Sequence, residues 1–200
     1  MRQSIDDGVT LEIVYEGFTH NAEVEDKEGM DKKFEDVFSD YDLTERLQIL
    51  GFGSRDAYLD NINTIREKAK KMIDHYVEQI FSGGFKAQVV ANSRIAAVRY
   101  KAAIDEALKR KIAALDENNI MNLKPEQIEL LKQLEAAVVI SGSYNDSVEI
   151  KAYTNSQYHK RSIKRFKLPF GEKDEEDNSI NGNVGIVIVN NMLLTGFDAP

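Results

Sequence analysis

The spacing of hydrophobic residues changes near Gly84. Before that point apolar residues recur at helical intervals, most clearly over residues 58–81, and an alternating stretch at residues 9–16 predicts a strand. Two shorter helices are predicted between them, at residues 26–39 and 43–50. The glycines at the end of the long pattern are typical of a helix end. Residues 1–84 are therefore predicted to be a strand followed by a mainly helical segment.

After Gly84 short continuous apolar runs alternate with helical segments. The runs predict buried strands at residues 85–91, 136–141 and 184–189. Helices are predicted at residues 94–110, 125–134 and 154–167, and an acidic loop at residues 172–183. Apolar strands separated by helices favour an α/β fold with an open, mostly parallel sheet and helices on both faces. Residues 85–200 are thus predicted to form one domain.

Ligands of such sheets bind at the carboxyl ends of the strands. This rule places three polar segments at one edge, residues 92–94, 141–143 and 190–198. The last segment holds Thr195, Gly196 and Asp198, which supply a hydroxyl, a closely approachable backbone amide and a carboxylate. The first two suit a phosphate backbone, and the carboxylate suits a ribose hydroxyl or a nucleotide-held cation. An ordinary turn after a strand would have the same composition.

Composition and charge narrow the function classes. The 200 residues carry 26 Lys and Arg against 34 Asp and Glu, a net charge of −8, which argues against a surface that binds nucleic acid everywhere but allows a local groove. The chain has no cysteine, and its three histidines lack metal-ligand spacing, so no metal site is predicted. No apolar run is long enough for a membrane span, and we expect no membrane partner.

Three stretches, in matching order and spacing, resemble the motor (R) subunit of type I restriction enzymes, a superfamily 2 helicase-like DNA translocase. Residues 186–200 resemble its motif V, residues 87–100 its motif IV region, and residues 6–16 the strand that follows its first lobe. The resemblance implies that residues 85–200 are the second RecA-like lobe, truncated at its C-terminus. Residues 1–84 would be the preceding linker.

The resemblance also implies roles for residues at the predicted edge. Thr195 and Gly196 would contact the DNA backbone, and Asp198 would lie at the cleft between the lobes and couple to the nucleotide. Ser93 and Arg94, at a strand end and helix start, would hold a DNA phosphate, because anions are favoured at helix N-termini. For Ser93 a simple N-cap role is an equal alternative.

The predicted helix at residues 154–167 is basic. It resembles the helix before motif V in many helicases, where the spacing from Arg161 to Phe166 packs the phenylalanine inward. Its candidate DNA-binding residues are Lys160, Arg161 and Lys164. A solvated helix face is the alternative interpretation.

A pattern of metal-dependent nucleases occurs at Asp146, Glu149 and Lys151. Acidic-x-Lys triplets arise by chance in a chain this charged. The gap between the two carboxylates is also too short for residues offered from separate strands. We therefore reject a nuclease site at this position.

The expected function follows from the resemblance. The full-length subunit would use ATP and Mg²⁺ to translocate duplex DNA and then cleave it, in a cytoplasmic complex with specificity and methyltransferase subunits. The chain contains no GxxxxGK[ST] loop, so it is expected to be inactive alone, with the nucleotide site mostly in the first lobe. The alternatives are a lobe of another superfamily 2 DNA helicase or translocase, and a non-catalytic protein-binding scaffold.

Overall fold

A computed structural model describes Gly17, residues 58–118 and residues 123–192. The strand and helices predicted before residue 58 lie outside the described residues. So do the motif V residues Thr195, Gly196 and Asp198.

Three strands and five helices alternate along the described part of the chain. The strands are β1 (Ala87–Val90), β2 (Glu135–Ile140) and β3 (Val184–Asn190). The helices are α1 (Ile62–His75), α2 (Arg94–Asn118), α3 (Pro125–Lys132), α4 (Val148–Lys151) and α5 (Ser156–Lys167).

The strands form a parallel sheet in the order β1-β3-β2. Ala87 of β1 lies opposite Ile186 of β3, and Val138 of β2 lies opposite Ile188 on the other side of β3. The last strand in sequence is therefore the central strand of the sheet. Each step from one strand to the next passes through helices, as parallel pairing requires. These features confirm the predicted α/β fold class.

Helices cover both faces of the sheet. One face presents Val138, Ile140 and Ile188, which share a core with buried residues of α1 and α2. The opposite face presents Val139 and Val187, which pack against Phe166 of α5. Successive residues of a strand point to opposite faces, so fully apolar strands are buried on both sides. The inward packing predicted for Phe166 is confirmed, since it is only 4% exposed.

Helix α1 begins with a side-chain cap and is followed by a π-helical turn and a 3-10 turn. Asn61 Oδ1 accepts hydrogen bonds from the backbone N–H groups of Asn63 and Thr64, at 2.9 and 3.2 Å. After α1 the chain continues through a π-helical turn, Tyr76–Ile80, and a 3-10 turn, Phe81–Gly83. Gly84 then adopts φ of 81°, the left-handed conformation that glycine accepts most readily. The predicted helix end at Gly84 is confirmed.

Residues of α1 and of the π-helical turn belong to the same core as the sheet. The Tyr76 hydroxyl donates to the carbonyl oxygens of Phe85 (3.1 Å) and Gly185 (3.4 Å). A Cβ atom at Gly185 would lie 2.3 Å from Leu134 Cδ1, so a side chain here would force neighbouring side chains to move. The division of the chain at residue 84 into two domains stays a prediction.

Several boundaries differ from the sequence-based ones. Helix α2 continues eight residues beyond the expected Arg110, to Asn118, because good helix formers follow without a glycine or proline. Helix α5 begins at Ser156, where Asn155 caps it. The short helix α4 was not predicted, because four residues show no periodicity. None of the helices in the described ranges is long and apolar enough to span a bilayer.

Candidate nucleic-acid interface

The carboxyl ends of the three strands meet at one edge of the sheet. Asn190 Nδ2, at the end of β3, donates to the carbonyl oxygens of Ala91 (2.9 Å) and Asn92 (3.2 Å), which follow β1. Arg94 Nη1 donates to the carbonyl oxygen of Ser141, directly after β2, at 3.1 Å. The structure thus brings together residues 92–94, residue 141 and residue 190, as parallel topology predicts.

Arg94, the first residue of α2, forms an ion pair with a carboxylate that the sequence did not assign to it. Its Nη1 lies 2.6 Å from Asp146 Oδ1, and the Asp146 side chain is only 3% exposed. Asp146 Oδ2 accepts a hydrogen bond from the backbone N–H of Ser143 at 2.5 Å. Asp146, whose nuclease-like pattern we rejected, is therefore part of a buried ion pair that closes the loop after β2.

Ser93 serves as the N-terminal cap of α2. Its Oγ accepts a hydrogen bond from the backbone N–H of Ala96 at 3.0 Å and donates to Asp60 Oδ1 at 2.9 Å. Arg99 of α2 donates to the backbone carbonyl of Asp60. The Asp60 carboxylate consequently lies near the helix N-terminus that is predicted to bind a phosphate. The capping role of Ser93 is observed, and its contact with DNA stays a prediction.

The basic residues of α5 are partly neutralised by the loop that follows the helix. Lys164 Nζ lies 2.8 Å from Asp174 Oδ2. Arg161 Nη2 donates to the carbonyl oxygen of Ser179 at 3.3 Å, and Lys160 is exposed. The hydrogen bond between Lys164 and Asp174 raises the pKa of the lysine and lowers the pKa of the carboxyl group. The predicted acidic loop is folded against the basic helix.

Arg165 joins α5 to the start of β2. Its guanidinium makes two hydrogen bonds to the Glu135 carboxylate, of 2.9 and 2.6 Å. It also donates to Asn181 Oδ1 through Nε (3.1 Å) and Nη2 (2.8 Å). Such a bidentate arrangement fixes the geometry of both partners. Arg165 is therefore occupied by the fold.

Lys86, just before β1, is surrounded by carbonyl oxygens and aromatic rings. Its Nζ donates to the carbonyl oxygens of Arg165 (3.2 Å), Leu168 (2.6 Å) and Gly182 (3.0 Å). The same atom lies 4.8 Å from the centre of the Phe170 ring. Burial, together with the charge of Arg165, lowers the pKa of Lys86 to about 8. Sequence patterns gave no sign of this residue, because its partners come from two distant segments, residues 165–170 and residue 182.

Charged side chains also line a surface groove between α1 and α2. The groove has a volume of about 560 Å³ and carries charges of both signs, among them Lys70, Asp74 and Arg110. Lys111, which also lines the groove, is paired with Asp74 (2.8 Å) and Glu78 (2.7 Å). No group of three or more acidic or histidine side chains within residues 58–118 and 123–192 is placed to hold a metal ion.

Comparison with known proteins places the chain in a family. It is 30% identical, over 212 residues, to a Methanocaldococcus jannaschii protein described as a type I restriction enzyme MjaVIIIP endonuclease subunit, which it matches over 100% of this chain and 18% of the relative. The MjaVIIP endonuclease subunit of that organism is 33% identical over 70% of this chain and 12% of the relative. The HindI endonuclease subunit of Haemophilus influenzae is 26% identical over 100% of this chain and 16% of the relative.

No protein-family model and no solved structure matches the chain. The chain spans less than a fifth of the length of each of these relatives. The similarity to two of them extends over its full length, and it confirms the resemblance inferred from the three motifs. The chain belongs to the family of type I restriction enzyme endonuclease subunits.

Proposed function

We propose that this chain is the second motor lobe, with its preceding linker, of an ATP-dependent DNA-translocating endonuclease subunit. One observation carries the proposal. Strand β3, which leads into the motif V-like residues 195–198, is central in a parallel sheet and ends beside Arg94 and Ser141. Open parallel sheets bind their ligands at this edge.

In the proposed mechanism this lobe contacts the backbone of duplex DNA. Thr195 and Gly196 offer a hydroxyl and a backbone N–H to phosphate oxygens. Ser93 and Arg94, at the start of α2, hold a neighbouring phosphate, since the helix N-terminus favours an anion. Lys160, Arg161 and Lys164 of α5 add phosphate contacts once Lys164 and Arg161 exchange their present partners in the loop.

Asp198 couples the DNA contact to the nucleotide. We assign it to the cleft that faces a preceding lobe, where ATP and Mg²⁺ would bind. Hydrolysis of ATP supplies the free energy for translocation, and closure of the two lobes would be relayed through residues 195–198 to the DNA. No described residue is assigned to ATP or Mg²⁺, because the structure shows no group of side chains suited to the metal in the described ranges.

The proposed partners are duplex DNA and the specificity and methyltransferase subunits of a restriction complex, in the cytoplasm. The relatives are named as endonuclease subunits of type I restriction enzymes, which supports an assembly of several subunits. A scaffold function would need an exposed apolar patch on the helix predicted at residues 58–81. It has less support, because Ile65, Ala69 and Ile73 of α1 lie in the core.

The decisive experiment is Asp198→Ala in the full-length subunit. We expect DNA-stimulated ATPase activity to fall on the order of 100-fold, as it does when catalytic geometry is disturbed, while binding of a DNA duplex persists. Asp105→Ala is the matched control, since Asp105 pairs only with Lys101 on the same exposed helix face. Unchanged ATPase and translocation rates would disprove the assignment of Asp198. Absence of duplex binding by the unmutated protein at low salt would disprove the DNA contact.

A further inference from the structure

Both oxygens of the buried Asp146 carboxylate have a partner in the fold. Of the described residues, only Asp146 and Ser162 are both polar and buried. One carboxylate oxygen of Asp146 meets Arg94 and the other meets the backbone of Ser143. A buried charge without partners is costly, so the position of Asp146 depends on Arg94. The reverse also holds, because Arg94 has no other charged partner among the described residues.

The contacts of Arg94 occupy only one side of its guanidinium. Both the ion pair with Asp146 and the hydrogen bond to Ser141 are made through Nη1. Nη2 and Nε carry no hydrogen bond to any residue that the structure describes. The side chain is 29% exposed and lies at the start of α2. An arginine held in this way presents a fixed pair of N–H donors, the geometry that binds a phosphate through two parallel hydrogen bonds.

The loop after β2 is closed by the same two side chains. Arg94 binds its first residue, Ser141, and Asp146 binds the backbone of Ser143. The loop therefore cannot move away from α2 without breaking the ion pair. Its residue Tyr144 is 95% exposed beside this fixed arrangement.

We propose that Asp146 is a positioning residue, which holds Arg94 in the orientation that binds a DNA backbone phosphate. The inference rests on the proposed function and assigns a role to a residue outside the motifs. Its physical basis is preorganisation: a side chain that is already ordered loses little conformational entropy when it binds. Asp146 itself does not touch the DNA.

The test compares binding of a short, labelled DNA duplex by the full-length subunit and its variants over a range of salt concentrations. Asp146→Asn keeps an acceptor for Ser143 but removes the charge that orients Arg94. We expect affinity to fall roughly threefold to tenfold, which is the cost of ordering one long side chain. The salt dependence should stay unchanged, because Arg94 still reaches the phosphate. Arg94→Gln should instead lower the salt slope by about one.

The double variant separates positioning from a merely structural role. In the Arg94→Gln background, Asp146→Asn should cause no further loss of affinity. Arg94→Lys provides a second measurement if Asp146→Asn reduces folding. It keeps the charge, so the salt slope should be preserved, but a lysine lacks the planar fork, so affinity should fall as in Asp146→Asn. Asp105→Asn and Arg110→Gln are the matched controls on α2, where both residues form ion pairs within the helix.

Five outcomes would overturn the inference. Tighter DNA binding by Asp146→Asn would mean that the carboxylate competes with phosphate. If Asp146→Asn lowered the DNA affinity equally with Arg94 present and in the Arg94→Gln background, the role of Asp146 would be structural. If neither Asp146→Asn nor Arg94→Lys changed the affinity, Asp146 would have no positioning role. An effect confined to Mg-ATP, measured with the same variants, would assign Arg94 to a nucleotide phosphate. Failure of the unmutated full-length subunit to bind duplex would disprove the proposed DNA contact itself, and the inference with it.

Discussion

At the scale of single residues, long cationic side chains connect segments that are far apart in sequence. Lys86 joins the start of β1 to the end of α5 and to Gly182, and Arg94 joins α2 to the loop after β2. In both cases a buried or half-buried cation satisfies backbone carbonyl oxygens that would otherwise lose their hydrogen bonds to water. These residues are held by geometry that only the folded chain provides.

The low pKa of Lys86 makes a pH-dependent contribution to stability. The pKa is about 8 in the folded protein against an ordinary value of 10.5, so between these values the unfolded chain holds a proton that the folded protein has lost. The contribution of Lys86 to the free energy of unfolding should therefore rise with pH over this window and be constant above it. Chemical denaturation of the unmutated protein and of Lys86→Met, from pH 7 to pH 11, measures this contribution. It is the part of the difference in free energy of unfolding that grows with pH.

The exposed Lys160→Met is the control for Lys86→Met, because it removes one positive charge without removing a buried side chain. A difference for Lys86→Met that is constant from pH 8 to pH 10 would show that Lys86 titrates as an ordinary lysine.

The partners of such residues could not be predicted from the sequence. Arg94 was identified because it follows a predicted strand and opens a predicted helix, both of which are local signals. Its pairing with Asp146 depends on how the loop after β2 folds back, which no spacing rule records. For the same reason Asp146 was first considered with Glu149 and Lys151, its neighbours in sequence, although its contacts are with Arg94 and Ser143.

At the scale of elements, α5 and the loop after it form a charge-balanced unit. Residues 172–177 contain five carboxylates and one lysine, and the helix presents Lys160, Arg161 and Lys164. The loop is folded by its own turns, in which Asp174 Oδ1 accepts hydrogen bonds from the N–H groups of Glu176 (3.2 Å) and Asp177 (2.9 Å). The loop thus reduces the positive potential that the helix alone would have.

Asp174→Asn tests whether α5 contacts DNA. The asparagine can still accept the hydrogen bonds of the turn, but Lys164 loses its charged partner. If Lys164 binds phosphate as proposed, duplex affinity should rise roughly twofold to fivefold and the salt slope should steepen by up to about one. The control is Asp105→Asn, which frees Lys101 on α2. An equal rise in both variants would mean that only net charge matters and that Lys164 makes no specific contact.

The strands and longer helices were predicted well, because their signals are local. The apolar runs of β2 and β3 and the helical pattern of α5 all depend on neighbouring residues. The end of α2 was missed because nothing in residues 111–118 stops a helix. The π-helical turn Tyr76–Ile80 was missed because Tyr76 takes its position from contacts with Phe85 and Gly185. Tertiary contacts, not propensity, determine this turn.

At the scale of the whole molecule, one sheet separates two cores of different size. The larger core includes α1, α2 and α3, and the smaller one depends on Phe166 packed against β2 and β3. Phe166 is the only aromatic residue in the smaller core among the described residues. The attachment of α5 therefore depends strongly on a single side chain.

Phe166→Ala should destabilise the smaller core selectively. We expect a loss of about 3 kcal/mol in the free energy of unfolding, the usual cost of deleting a buried aromatic ring. Hydrogen exchange should accelerate at residues 156–182, while α1 and α2 keep their protection. Lys160→Ala on the exposed face of α5 is the control. Uniform acceleration over all described helices would show that the two cores unfold as a single unit.

The order of the strands has a consequence for biosynthesis. Strands β1 and β2 do not pair with each other, and both pair with β3, which is translated last of the three. On the ribosome the first two strands therefore cannot form the pairing of the described sheet until residues 184–190 have left the exit tunnel. During that interval α1 and α2 can form, but their apolar faces have no sheet to cover. This period of exposed apolar surface is when a nascent chain of this kind would depend most on chaperones.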